Sequence, residues 1–153
     1  MKLLIPNSNE IELKTLILDL NGTLTVRGVL VKGVSKKLKV LKNKGLKVVL
    51  FSGDTRGNGK DISDKLGIEF FVTSTGEEKR IEASKLNPET CIAIGNGLID
   101  TALFRTVKLS IATLQSEGVH VKCLEEADIV VCSILDALDL LIDEKSLVST
   151  LRV

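Results

Sequence analysis

Residues 15–24 read TLILDLNGTL. Thr15–Asp19 (TLILD) reads as a short strand whose apolar run is the pattern of a strand covered on both faces. Asp19 then stands at the strand's end, followed by Leu20-Asn21-Gly22-Thr23-Leu24, where Gly22 permits a tight turn. A carboxylate at the rim of a buried strand is placed to act as a nucleophile or a metal ligand. Read alone, the same residues also make an ordinary strand-end turn.

Five further runs share this character: Leu46–Ser52, Glu69–Thr73, Cys91–Gly95, Lys108–Ala112 and Asp128–Cys132. Helical patterns separate them. Val34, Leu38 and Leu41 share a face before Gly45, and Ile62 and Leu66 do so before Gly67. Glu77–Leu86, Leu98–Arg105, Val119–Ala127 and Ser133–Ile142 complete the set. This alternation predicts an α/β fold: a Rossmann-like, three-layer, doubly wound parallel sheet of at least five strands. The whole chain, 1–153, reads as one domain, with residues 1–13 as an N-terminal hairpin and 133–153 as C-terminal helices.

In such a sheet, ligands bind beyond the carboxyl ends of the strands. The second run ends in Ser52-Gly53-Asp54. A hydroxyl beside a glycine can hold a phosphate oxygen, although Ser and Asp are equally common helix caps. Lys79 lies in the first turn of a helix, where a cation opposes the helix dipole; read alone, it is also an ordinary solvated surface lysine. The fourth run ends in Gly95-Asn96-Gly97-Leu98-Ile99-Asp100, two glycines and a hard oxygen ligand suited to Mg²⁺.

The order Asp, Ser, Lys, Asp resembles that of the haloacid dehalogenase superfamily. The motifs are similar to those of the P-type ATPase phosphorylation domain, D-K-T-G-T, T-G-D, a helix lysine and G-D-G-x-N-D. Here they stand as D-L-N-G-T, S-G-D, Lys79 and G-N-G-L-I-D. The stand-alone "soluble P-type ATPase"-like proteins share the D-x-N-G-T and I-G-N-G motifs and the stretch S-I-L-D-A-L-D-L-L. The resemblance implies a HAD-like fold with an aspartyl-phosphate on Asp19. It implies Mg²⁺ held by Asp19, the Asn21 carbonyl and Asp100, with Asn96 as a further metal-site residue that binds a metal-ligated water or Lys79. It also implies that Ser52, Gly53 and Lys79 bind the phosphoryl oxygens. The expected substrate is a phosphorylated small molecule or protein.

Two residues depart from the pattern. Phosphatases of the superfamily carry a second Asp, a general acid and base, where this chain has Asn21. An amide cannot exchange a proton at neutral pH, so a phosphatase built this way is expected to be slow. Asn96 replaces an Asp near the metal, which should weaken Mg²⁺ binding unless Asp54 turns inward. The alternative is a non-catalytic regulatory or binding module that keeps the anion and Mg²⁺ pocket. A carbon–halogen or phosphonate enzyme also lacks the second Asp, but those chemistries need an enclosed site. The stretches from Thr23 to Ser52 and from Ser52 to Lys79 each hold about one helix and one strand, leaving no room for a cap domain. Val26–Val31 reads as a small flap hairpin, or as a homo-oligomer contact.

Composition excludes other classes. The net charge of +1 gives no footprint for nucleic acid or an anionic membrane, and Trp and Tyr are absent. No run suits a membrane span or a secretory signal. The lone His120 argues against a His-rich zinc site or a Ser-His-Asp triad, and it is expected as a partly buried helix residue. Cys91, Cys123 and Cys132 lie in apolar stretches and are expected as buried, reduced thiols of a cytoplasmic protein.

Overall fold

A computed structural model describes all residues, Met1–Val153. The chain opens with an antiparallel hairpin, β1 (Lys2–Leu4) and β2 (Glu10–Glu12). Next come β3 (Thr15–Leu18), the small hairpin β4 (Thr25–Val26) and β5 (Val29–Leu30), and α1 (Val34–Asn43). The chain continues through β6 (Lys47–Ser52), α2 (Gly59–Leu66), β7 (Glu69–Val72) and α3 (Gly76–Ser84). After a 3₁₀ turn at Pro88–Thr90 follow β8 (Cys91–Gly95), α4 (Asp100–Phe104), β9 (Leu109–Thr113), α5 (Val121–Glu126) and β10 (Ile129–Val131). Helices α6 (Ile134–Ile142) and α7 (Glu144–Leu151) close the chain.

The central sheet has six strands in the order β10-β9-β8-β3-β6-β7, and every pair in it is parallel. The α/β, doubly wound reading of the sequence therefore holds. Alternation along the strands divides the core. Leu16, Leu18, Val48, Leu50, Ile92 and Ile94 face one way, against α1, α2, α6 and α7. Ile17, Val49, Phe51 and Ala93 face the other, against Ala83 of α3, Leu103 and Phe104 of α4, and Cys123 of α5. Period-2 alternation inside fully apolar strands thus fills both interfaces of a three-layer sandwich.

β3 lies between β6 and β8, with Leu18 beside both Leu50 and Ile94. The chain winds outward from β3 through β6 to β7, then returns to β8 on the other side and winds outward again. The crevice between these two directions is where an open α/β sheet binds ligands.

Some local expectations fail. His120 is exposed and is the N-cap of α5, its Nδ1 accepting from the Lys122 backbone N–H at 3.2 Å, because the helix starts two residues later than Val119. Cys132 is exposed, since edge strand β10 ends one residue before it. Cys91 and Cys123 are buried. No helix is long and apolar enough to cross a membrane.

Candidate active site

Asp19 directly follows β3, and its backbone N–H donates to the Ile94 carbonyl at 3.0 Å, which fixes it to the neighbouring strand β8. Asp100 is the first residue of α4 and is fully buried. Its Oδ2 accepts from the backbone N–H groups of Asn96 (3.0 Å) and Gly97 (2.9 Å), folding the turn after β8 around the carboxylate. Gly95 makes this packing feasible: a Cβ there would lie 2.5 Å from the Asp100 Cγ.

Lys79 comes from α3, whose start is fixed by a capping box between Thr75 and Glu78. That start turns Lys79 inward. Its side chain is 0% exposed, and its Nζ donates to Asp19 Oδ1 at 2.7 Å and to Asp100 Oδ1 at 2.6 Å. A solvated surface lysine is thereby excluded. The dipole mismatch seen in the sequence is offset by two carboxylates. Burial alone would lower the lysine's pKa, but the charges of Asp100 and Asp19 outweigh it and hold the ammonium above the usual lysine range. One cation shared between two acids leaves a net negative charge. Asp19 is accordingly pushed up to about 6, first by burial, with Lys79 opposing and Asp100 adding to the rise.

A cavity of about 270 Å³ opens over this array. Asp19, Asn21, Ser52, Gly53, Asn96 and Asp100 all line it, so the structure gathers these sequence-picked residues at one crevice. Gly97, one of the two glycines noted in the turn after β8, also lines it; Thr55, Ser74 and Ile99 complete the lining and were not singled out in the sequence, being loop residues without a charge. Lys79 lies beneath, bonded to the two acids. Ser52, at the last position of β6, is 2% exposed, and its Oγ accepts from the Asp54 N–H at 3.0 Å. Asn21 Oδ1 is buried with no hydrogen-bond partner.

Asn96 and Asp54 are engaged elsewhere. Asn96 Oδ1 accepts from Thr23 Oγ1 at 3.3 Å and its Nδ2 donates to the Gly118 carbonyl at 2.8 Å. Neither atom bonds Lys79. The amide at this position has a structural use that a carboxylate lacks, since only the amide nitrogen donates to Gly118. Asp54 does not turn inward; its Oδ1 accepts from the Gly59 N–H at 2.7 Å, at the start of α2. Gly22, at φ +78, lets the nucleophile loop pass Asn96, where a Cβ would stand 2.2 Å from Nδ2. A residue the motifs did not indicate is Gln115, whose amide spans from this loop to α6.

The donor set suits a small hard cation. Two carboxylates line one polar cavity with Asn21, whose amide oxygen is buried without a partner, and Mg²⁺ is usually bound by one or two carboxylates with waters and substrate phosphate. No cluster of three or more His, Cys, Asp or Glu side chains is present to form an all-protein metal cage.

No family model matches the sequence. Over 127 residues the chain is 31% identical to a soluble P-type ATPase-like phosphatase of Methanocaldococcus jannaschii, covering 80% of this chain and 46% of that protein. It thus spans less than half the length of that relative. Among solved structures, the cobalt-bound deoxy-D-mannose-octulosonate 8-phosphate phosphatase of Haemophilus influenzae superposes with a TM-score of 0.73 at 17% identity, covering 88% of this chain and 90% of that one. The Moraxella catarrhalis 3-deoxy-D-manno-octulosonate 8-phosphate phosphatase, solved with magnesium, phosphate and a KDO molecule, gives 0.69 at 16% identity, covering 92% and 94%. The chain has the fold of the haloacid dehalogenase-type phosphatases and resembles that superfamily in sequence. Within this HAD fold the stretches between β3 and α3 are filled by the flap hairpin, α1, β6, α2 and β7. No cap domain interrupts them. The flap turns at Arg27 (φ 51) and Gly28 (φ 82), and Asn58 Nδ2 donates to the Gly28 carbonyl at 3.0 Å, tying it to the loop after β6.

Proposed function

We propose that this protein is a phosphatase that works through an aspartyl-phosphate on Asp19 with Mg²⁺ as cofactor. The observation that carries the reading is the buried Asp19–Lys79–Asp100 array at the floor of a polar crevice. An Asp19 oxygen attacks phosphorus, forming the Asp19 O–P bond as the bond to the leaving group breaks. Water then cleaves the acyl phosphate, releasing inorganic phosphate and one proton to solvent and regenerating Asp19. Splitting one displacement into two lowers each barrier. Lys79 keeps Asp19 ionised against the cost of burial and, with the Ser52 hydroxyl and the Gly53 backbone, is assigned to the non-transferring oxygens. Asp19, Asp100 and the Asn21 carbonyl are the residues assigned to Mg²⁺, which when bound offsets the negative charge of the transferring group. The metal-bearing phosphatase structures of the same fold support the use of a divalent cation.

Asn21 orients through its free oxygen but supplies no proton. The leaving group therefore departs unprotonated, which favours acyl and aryl phosphates over alkyl phosphates. The cavity of about 270 Å³ suits a small phosphorylated compound, at the lower end of ligand pockets. The test is hydrolysis of an aryl phosphate with and without Mg²⁺. The account expects slow turnover in the wild type and none in Asp19→Asn. Equal turnover in the two proteins would remove Asp19 from the reaction.

A further inference from the structure

Gln115 lies two residues past β9 and is 8% exposed. Its Nε2 donates to the carbonyls of Gly22 (3.2 Å) and Thr23 (2.5 Å), and its Oε1 accepts from the backbone N–H of Ile134 at 3.0 Å. Ile134 is the first residue of α6. One buried amide therefore joins the loop that follows Asp19 to a helix far along the chain.

Most other backbone hydrogen bonds of this loop are internal; the exception runs from the Val31 N–H to the Leu24 carbonyl at 3.0 Å. The N–H groups of Thr23 and Thr25 donate to the Leu20 carbonyl, and that of Gly22 donates to the Thr25 carbonyl. The outward carbonyls of Gly22 and Thr23 are held by Gln115. Gly22 is the residue with the widest backbone freedom in the loop, at φ +78. Holding its carbonyl fixes the orientation of the Gly22–Thr23 peptide unit, the one that follows the unit carrying the Asn21 carbonyl. A glutamine suits this place because its planar amide donates two hydrogens from one end and accepts at the other.

We propose that Gln115 is a positioning residue for phosphoryl transfer, fixing the Asn21–Thr23 backbone so that Asp19 and the Asn21 carbonyl face the crevice. The inference rests on Asp19 being the nucleophile. It does not make Gln115 a group that touches substrate. Misplacing a reacting group by about 1 Å can reduce a rate about 100-fold.

The sharpest variant is Gln115→Glu. It keeps the shape and the acceptor for Ile134, but sets a carboxylate against two carbonyls. Gln115→Met removes all three bonds without adding charge. Leu147→Ala is the stability control, since Leu147 is buried in α7, away from the crevice. Phosphoenzyme formation from acetyl phosphate and Mg²⁺ is followed by quench and intact mass, at a temperature where each protein is folded. Both Gln115 variants are expected to form the adduct about 10- to 100-fold more slowly, with the half-saturating acetyl phosphate concentration within about threefold of wild type. Leu147→Ala is expected to lose thermal stability and keep the wild-type rate. Were a folded Gln115 variant to react at the wild-type rate, or Leu147→Ala to slow as much as they do, Gln115 would be structural only. If Gln115→Glu does not fold, Gln115→Met decides on the same criterion. A wild type that takes no phosphoryl group overturns the Asp19 reading and this inference with it; a reactive wild type with equally reactive Gln115 variants overturns the inference alone.

Discussion

Replacing Lys79 by Met should destabilise the protein in a strongly pH-dependent way. The ammonium is 0% exposed and bonds Asp19 at 2.7 Å and Asp100 at 2.6 Å. Without it, two carboxylates remain buried beside each other. Removing one partner of a buried ion pair costs about 3–5 kcal/mol, a large share of the about 5–15 kcal/mol that holds a domain folded. The sign with pH follows from Asp19, raised from 3.8 to about 6 by burial, against the opposing Lys79 and with the help of Asp100. A carboxyl raised in the folded state contributes stability that is full below its unfolded value, near pH 4, and lost as pH rises through about 6. Deleting Lys79 removes the influence that lowers Asp19, so this loss becomes deeper and extends to higher pH. At pH 5 a proton on Asp19 replaces the missing charge and the deficit is small. At pH 8 it approaches the full buried-pair value. Urea unfolding of both proteins without divalent metal, at pH 5 and pH 8, measures the difference. A deficit equal at the two pH values, or below about 1 kcal/mol at pH 8, would refute the idea that Lys79 offsets the charge of the two acids.

Three other substitutions or probes read different parts of the site. Asn21→Asp restores a proton donor and should raise turnover, by up to the about 10²- to 10⁴-fold that general acid–base help supplies, and more for alkyl phosphates than for acetyl phosphate; steady-state rates on both substrates check it. Gly22→Ala forces a Cβ to 2.2 Å from Asn96 Nδ2 at φ +78. The backbone strain alone costs about 1–2 kcal/mol, so a clear drop in thermal midpoint is expected, and an unchanged midpoint would contradict the close approach. Burial pushes the Cys91 thiol up to about 11 and Cys123 to about 12, whereas Cys132 is exposed. Iodoacetamide at pH 8 should therefore label one thiol in the folded protein and three after denaturation.

The parts of the fold that could be read from sequence are those set by local pattern. β3, β6 and β8 are buried on both faces, and their unbroken apolar runs gave them away. The site residues at their ends followed from the rule that places ligands there. Lys79 was visible as a charge in the wrong place on a helix, but its burial depends on contacts 60 and 21 residues away in the chain. Helix α4 is shorter than the Leu98–Arg105 pattern because the turn before it is folded around Asp100. Asn96 reads in the sequence as a weakened metal ligand; its bonds to Thr23 and Gly118 depend on where two loops meet. Gln115 carried no signal at all, being one polar residue after a strand whose three partners lie on two other segments.

The central claim is that Asp19 carries the phosphoryl group. Intact mass spectrometry of the wild type and Asp19→Asn, after incubation with acetyl phosphate and Mg²⁺, tests it directly. The account predicts a gain of one phosphoryl mass in the wild type and none in the variant. No adduct in the wild type, with no turnover of an aryl phosphate, would contradict it and leave a pocket that binds anions without reacting with them.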